Sequence, residues 1–240
     1  MIKENRTTKY LLYAIGEIIL VVIGILIALQ VNTWKEEKND RLLEQKILKG
    51  LLVEFENAQY ELELDSIARN SIFNSINYFI NIKNGTIPFP ETFDTIASSI
   101  ESVKRYRFYT PSHPQLKDLQ SSGRFDLIAS KETREALLDY IEWWDRVSTL
   151  ENNTQNAVIA NLRPYLAENC DLSLIDSKNP EQQLQFVSQI KTMTQKTNFG
   201  SMLRLRLEDL YPIIFYSENL MLSIKNCQEQ ISKDLNTYNK

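Results

Sequence analysis

An apolar run near the N-terminus constrains this chain more than any other feature. Residues 10–31 read YLLYAIGEIILVVIGILIALQV and hold one charged residue, Glu17. A helix of about 22 residues is about 33 Å long, which is enough to cross a hydrocarbon core of about 30 Å. A cleaved signal peptide has a shorter apolar region, of about 7–15 residues, followed by a small-x-small cleavage site. The run therefore predicts a retained transmembrane helix at 10–31, preceded by a tail of residues 1–9.

One face of this predicted helix combines a carboxylate with small residues. Glu17, Val21, Gly24 and Ala28 follow at spacings of four, three and four, which places them on the same side of a helix. A carboxylate inside a bilayer is costly unless it is neutral, paired, or turned toward protein or water. Gly24 and Ala28 would let a second helix approach closely. Two interpretations stay open: this face contacts another membrane helix, or Glu17 reaches toward the near interface and the small residues have no such role.

The segment after the span has the pattern of one long helix. No proline interrupts it before Pro88, and one seam steps by three and four residues. Eight of the ten seam positions are apolar, and the exceptions are Asp65 and Arg69; the positions are 48, 51, 55, 58, 62, 65, 69, 72, 76 and 79. The pattern predicts a rod from about Lys9 to Asn84, in which the anchor continues without a break until Gly85 ends it as a C-cap.

Glycine, proline and capping residues divide the rest of the chain into further helices. A modest helix is predicted at 91–106, and a short one is closed by a turn at Gly123. Ser130 is a good N-cap for a third long helix that should break or kink near Pro164.

The C-terminal third is expected to begin with a polar loop at 170–180. Asn179, Pro180 and Gln182 then resemble a cap, a first-turn proline and a capping-box glutamine. The final helix has a second seam with two polar positions in ten, Ser217 and Gln228, and Pro212 should kink it.

These elements predict an all-α fold. Three or four long amphipathic helices in a chain of this size pack as an antiparallel bundle. The N-terminal transmembrane helix should continue into a long amphipathic helix of that bundle. The expected organisation is a soluble helical domain at 32–240, made of a juxtamembrane helix at 32–84 and the remaining helices at 85–240.

Charge and motifs exclude several functional classes. The net charge of −4 lies mostly after residue 49, and an acidic domain repels phosphate backbones, so we expect no nucleic-acid binding. The sequence has no phosphate-binding, dinucleotide-binding, metalloprotease or nucleophile-elbow motif. The only histidine, His113, stands beside Pro114 without a serine or cysteine nucleophile context and is interpreted as a loop residue. We therefore expect no catalytic residue, no cofactor and no metal, and a protein that is not an enzyme.

The two cysteines, Cys170 and Cys227, leave two interpretations open. They could form one disulfide if the domain faces an oxidising compartment. Alternatively they are two small buried hydrophobic residues.

Two segments carry a resemblance to a known family. KYLLYAIGEIILVVIGILIALQVNTWKEEK, followed later by LKDLQSSGRFDLI, resembles an uncharacterised family of single-pass bacterial membrane proteins, a domain of unknown function common in the Bacteroidetes group. The resemblance is strongest over residues 9–48 and looser around residues 120–128. It implies a protein anchored in the inner membrane, with its N-terminus in the cytoplasm and its helical domain in the periplasm. It implies no activity.

The leading functional hypothesis is a non-enzymatic membrane protein that works by helix-mediated association. Its partners would be the lipid bilayer and either its own copy, as a homo-oligomer, or another membrane or envelope protein. One alternative is a periplasmic four-helix-bundle sensory module that binds a small ligand between helices. A second is an accessory subunit of a transport or proton-driven complex in which Glu17 relays protons.

Overall fold

One helix, α1, runs without interruption from Arg6 to Lys83 and connects the apolar span to the soluble domain. The structure is a computed structural model that describes residues 6–90 and 92–238, with side chains from Ala14 onward. Residues 1–5 of the predicted tail, and Glu91 at the predicted start of the second helix, lie outside the described residues. Gly85 follows α1 with a φ of 72° and takes the expected C-cap role, because glycine adopts left-handed backbone without a Cβ clash.

The apolar part of α1 stands free of the rest of the chain. From Ala14 onward, α1 is the one helix in the described residues long and apolar enough to cross a membrane, with a mean hydropathy of 2.6 in its most apolar window. None of that window is buried. Residues 32–43 are also exposed, and Glu44 is the first buried residue of the described part. A solitary stalk of about 18 Å therefore separates the end of the span from the packed domain.

The rest of the described chain is helical and contains no strand, which confirms the all-α class. The further α-helices are α2 (Phe93–Val103), α3 (Pro114–Ser122), α4 (Lys131–Ala157), α5 (Arg163–Asn169), α6 (Pro180–Thr194) and α7 (Thr197–Thr237). A five-residue π-helix, Val158–Leu162, joins α4 to α5 where a break near Pro164 was predicted. The polar loop predicted for 170–180 is instead partly a 3₁₀ turn, Leu172–Asp176, because Leu174 and Ile175 are buried.

The helix ends follow the capping residues, with one exception. Ser130 Oγ accepts the Thr133 amide at 3.2 Å, and Asn179 Oδ1 accepts the Glu181 amide at 2.9 Å. Gln182 does not close a capping box. Its Oε1 accepts a hydrogen bond from Ser177 Oγ at 2.6 Å, and the same hydroxyl accepts the Asn179 amide at 3.1 Å, so Ser177 satisfies the donor that the glutamine was expected to satisfy. Pro212 lies inside α7, which continues on both sides of it.

Buried side chains form two hydrophobic clusters at different levels of α1. The proximal cluster, nearer the span, contains buried residues of α1 within 48–62, of α4 within 136–147 and of α7 within 220–231, together with Tyr109, Leu116, Leu119 and Ile128. The distal cluster contains buried residues within 72–82, 96–103, 158–175, 186–193 and 199–210. α1 and α7 therefore contribute to both clusters, whereas α4 contributes to the proximal cluster and the π-helix after it to the distal one.

The order of contacts along the helices fixes their directions. The Ala129 amide donates to Glu44 at 2.7 Å, so α4 begins at the proximal end, and the helical segment after it reaches the distal cluster at Leu166. α7 starts at the distal end, where Lys83 Nζ donates to the Lys196 carbonyl at 3.0 Å, and packs along both α1 and α4. α7 is therefore antiparallel to α1 and α4, as predicted, whereas α1 and α4 are parallel. The reason is the connection 84–130, which descends through α2 and α3 to the proximal end before α4 starts.

Candidate functional site

The face predicted in the span is open on the structure. Glu17, Val21, Gly24 and Ala28 are all exposed. A Cβ added to Gly24 would meet no atom within 4 Å, so no other described part of the chain covers that position. A partner for this face must therefore come from lipid or from another molecule.

A second exposed apolar stripe lies on the same helix, within the soluble domain. Tyr60 and Ile67 are 62% and 68% exposed, and Val53 and Leu64 are also exposed. Phe55 lies two residues after Val53, about 200° around the helix, and is buried in the proximal cluster. The stripe therefore points away from the bundle, on the side of α1 opposite its buried seam.

At an ideal 3.6 residues per turn, the stripe and the membrane face predicted in the span lie on one side of α1. Val53 follows Glu17 by 36 residues, and Leu64 follows Ala28 by the same interval, which is ten turns of about 3.6 residues. Tyr60 follows Gly24 in the same way. We call these residues together the outer face of α1: Glu17, Val21, Gly24, Ala28, Val53, Tyr60, Leu64 and Ile67. Because α1 has no break, this face runs from the apolar segment into the packed helical domain.

A buried layer of charges separates the two hydrophobic clusters. Arg69 Nη2 lies 3.2 Å from Glu151 Oε1 of α4, and the same guanidinium contacts the carboxylate of Asp65 and the hydroxyl of Ser217. Arg107 Nε lies 2.9 Å from Asp65 Oδ1. The layer thus contains two carboxylates and two guanidinium groups, and it connects α1, α4, α7 and the segment after α2.

Burial governs the electrostatics of this layer. It raises the pKa of Glu151, which the charge of Arg69 and the Tyr109 amide, donating to Glu151 Oε2 at 3.0 Å, partly oppose. Burial likewise lowers the pKa of Arg69, although Glu151 favours its charged form. Ion pairs in such an interior add little net stability but penalise arrangements that leave a charge unpaired. The layer is therefore suited to fixing the register of three helices.

His113 is a loop residue, as the sequence suggested, and stands immediately before α3, but its side chain is buried in a second polar cluster. Its Nε2 lies 2.5 Å from the hydroxyl of Tyr140, and its Nδ1 lies 3.7 Å from Glu54. Glu54 also accepts the Gln115 amide at 2.7 Å and so caps α3. Burial raises the pKa of Tyr140, which keeps that phenol neutral. The burial of His113 was not visible in the sequence, because it results from α3 folding back onto α1.

The disulfide considered for Cys170 and Cys227 does not form. Both thiols are free and buried. Cys170 lies in the distal cluster and donates to the Leu166 carbonyl at 3.1 Å, whereas Cys227 lies in the proximal cluster and donates to the Ala136 carbonyl at 3.2 Å. The two residues belong to different cores, so the bond would require the domain to unfold.

The helix-terminating turn predicted at Gly123 is present at the end of α3. Gly123 ends α3 with a φ of 68°, in the left-handed conformation that a helix-terminating turn requires. Among the described residues, no group of three or more His, Cys, Asp or Glu side chains could hold a metal ion. No family model, curated protein or solved structure matches this chain.

Proposed function

We propose that this chain is a single-pass protein of the bacterial inner membrane, spanning at residues 10–31, that associates with a second helix through the outer face of α1. The observation that carries the proposal is the ten-turn interval that places Val53, Tyr60 and Leu64 on the same side as the membrane face. The partner is another copy of the chain or a different membrane protein, and the bundle behind α1 holds this face rigid.

The exposed character of the outer face favours association over a purely structural anchor. In lipid, Glu17 needs a hydrogen-bonding partner, and no described residue of the chain supplies one. Gly24 and Ala28 allow close approach of another helix at the level where that partner is needed. Outside the bilayer, a second helix that covers exposed apolar side chains removes them from water, which lowers the free energy of the complex.

The buried polar groups support a function that is not enzymatic. Asp65 and Glu151 both contact Arg69, and His113 is enclosed by Tyr140, Glu54 and neighbouring rings. Arg69 and His113 also line surface pockets, but their polar contacts are made to side chains of neighbouring helices. We propose that they maintain the geometry of the bundle.

Photo-crosslinking of the full-length protein in its membrane tests the association. A photoreactive phenylalanine analogue at Tyr60 is expected to capture another chain, and the mass of the adduct distinguishes a second copy from a different protein. The same analogue at Asn153, an exposed position of α4, is the matched control and should give little adduct. Equal adduct at both positions, or none at Tyr60, would refute the proposal.

A second variant links the soluble stripe to the membrane face. Glu17→Leu combined with Gly24→Leu removes the polar contact and the close approach while keeping the span apolar. We expect adduct formation at Tyr60 to fall severalfold in this variant, at equal amounts of inserted protein. An unchanged yield would mean that the two halves of the outer face do not act together.

We further propose that the N-terminus is cytoplasmic and the helical domain periplasmic, as the resemblance over residues 9–48 implies. Asn236→Cys, an exposed position near the end of α7, can be labelled with an impermeant maleimide in intact spheroplasts. The background should lack Cys170 and Cys227. Labelling is expected before lysis; protection that lysis relieves would place the domain in the cytoplasm.

A further inference from the structure

A groove lies beside the π-helix, at the level of the distal cluster. It has a volume of about 410 Å³, within the range of small-molecule sites, and lies between residues 157–162 and the facing side of α7. Its apolar lining comes from both sides, and its polar lining residues include Arg206 and Asp209; the apolar residues are Ala157, Val158, Leu162, Met202 and Leu205. π-helical turns are uncommon and often mark functional sites.

Arg206 is a buried cation with one guanidinium nitrogen left unpartnered. It is 5% exposed, and its Nε donates to the Val103 carbonyl at 3.1 Å, with a further contact from Nη2 to the Arg105 carbonyl. Its Nη1 is buried without a hydrogen-bond partner. Among the described residues no carboxylate lies within 4.0 Å of this guanidinium, and burial lowers its pKa to about 10. An unneutralised charge of this kind favours an anionic group in the groove.

Asp209 supplies the opposite charge at the rim. It lies one turn after Arg206 on α7, is exposed, and lines the same groove without forming an ion pair to Arg206. Partial burial raises the pKa of the Asp209 carboxyl, and a cation bound beside it would lower that pKa again. The groove therefore offers a guanidinium, a carboxylate and apolar walls within one turn of helix.

We propose that this groove binds a small zwitterion with an apolar side chain, of the class of the apolar α-amino acids. The ligand carboxylate pairs with Arg206, the ammonium group pairs with Asp209, and the side chain lies between Leu162, Met202 and Leu205. This site is separate from the outer face of α1 and does not depend on the association proposed above.

Calorimetric titration of the full-length protein in detergent micelles tests the site with defined probes. Valine, leucine, methionine and phenylalanine are the zwitterions, and 4-methylpentanoate and 3-methylbutylamine are leucine without its ammonium or its carboxylate. At least one of the four amino acids should bind. If leucine binds best, each truncated analogue should have an affinity at least about tenfold lower than that of leucine. Absence of binding for all four at millimolar concentration, or equal binding of the deaminated acid, would overturn the proposal.

Substitutions at exposed positions keep the test independent of folding. Asp209→Asn should weaken amino-acid binding at least severalfold and leave the affinity for 4-methylpentanoate unchanged. Leu205→Trp, at a position 61% exposed, should block the groove. Glu208→Gln, exposed on the same helix but outside the groove, is the matched control. Equal affinity in all three variants would mean that any binding occurs elsewhere.

Discussion

The guanidinium of Arg69 in α1 lies 3.2 Å from the carboxylate of Glu151 in α4, at the level where the proximal and distal clusters meet. Two parallel helices are thus joined by an ion pair rather than by a continuous apolar seam. Asp65 and Arg107 complete the set of charges, and Ser217 brings α7 into it. A helix displaced by one turn would leave a charge unpaired in the interior, so this layer selects one register of the bundle.

Removing the cation from this layer should strongly destabilise the domain. Arg69→Met leaves the carboxylate of Glu151 without its ion pair, and we expect the free energy of unfolding to fall by about 3–5 kcal/mol. Urea unfolding followed by the fluorescence of Trp143 and Trp144 provides the measurement. The matched control, Arg204→Met, removes an exposed pair with Glu208 and should change stability little. Arg69→Met/Glu151→Gln should recover most of the loss, because the amide oxygen can still accept from the Tyr109 amide and Asp65 keeps Arg107; a double variant as unstable as the single one would contradict this account.

The pKa of Glu151 predicts a pH dependence of stability with a definite sign. Burial raises this pKa above its ordinary value of 4.5, so between 4.5 and the raised value the folded state binds a proton that the unfolded state does not. The stabilisation that this carboxyl contributes in acid is therefore lost as the pH rises through its folded pKa. The stability of the native protein relative to Glu151→Gln should increase as the pH falls through that window and level off below 4.5. A stability difference that does not change with pH across this window would show that Glu151 is not responsible. The same conclusion would follow if the control variant Glu208→Gln gave the same pH dependence.

Both thiols should be inert while the protein is folded. Burial raises the pKa of Cys170 to about 11 and raises that of Cys227 as well, so very little reactive thiolate is present near neutral pH. We expect an aromatic disulfide reagent to react with neither cysteine until denaturant is added, whereas a thiol introduced by Asn236→Cys should react at once. A mobility shift on a non-reducing gel that reductant reverses would indicate a Cys170–Cys227 bond and contradict the structure.

The turn at Gly123 should tolerate asparagine better than alanine. Its φ of 68° lies in the left-handed region, where a Cβ costs on the order of 1 kcal/mol, and asparagine is the side chain that accepts this conformation most readily. Gly123→Ala is therefore expected to lower the free energy of unfolding by about 1 kcal/mol, and Gly123→Asn by less. Thermal unfolding of both variants beside Ser122→Ala, an exposed neighbour in ordinary helix, measures the difference. The reverse order would mean that the backbone changes conformation around the new residue.

The sequence predicted the helices better than their directions. Helix ends depend on local chemistry, such as the hydroxyl of Ser130 or the missing Cβ of Gly85, and both are visible in a linear sequence. The parallel arrangement of α1 and α4 is not, because periodicity indicates which face is apolar and not which end of a neighbour it meets. The connection 84–130 determines that arrangement, and its course depends on contacts such as Glu54 with the α3 amides.

The buried layer was half visible in the sequence. Asp65, Arg69 and Ser217 are three of the four polar positions in the two otherwise apolar seams, and that irregularity was the available signal. Their partners Glu151 and Arg107 are charged residues without any distinguishing pattern, and the fold brings Glu151 to Arg69 across 82 positions of the chain. The soluble stripe of the outer face was missed for another reason: its apolar side chains are interspersed with glutamates, amides and the apolar residues of the buried seam, so it becomes recognisable only once that seam is known.

The unbroken course of α1 makes the protein a lever. From Val31, at the end of the span, to Lys83 is a rise of about 78 Å in a single helix. A change of about 10° in the tilt of the span would therefore move the far end of the helix sideways by about 14 Å if α1 stays straight. In the proposed membrane arrangement, a small reorientation of the span, produced by a change of membrane thickness or by exchange of a helix packed on Glu17, would become a displacement larger than the diameter of a helix at the distal cluster.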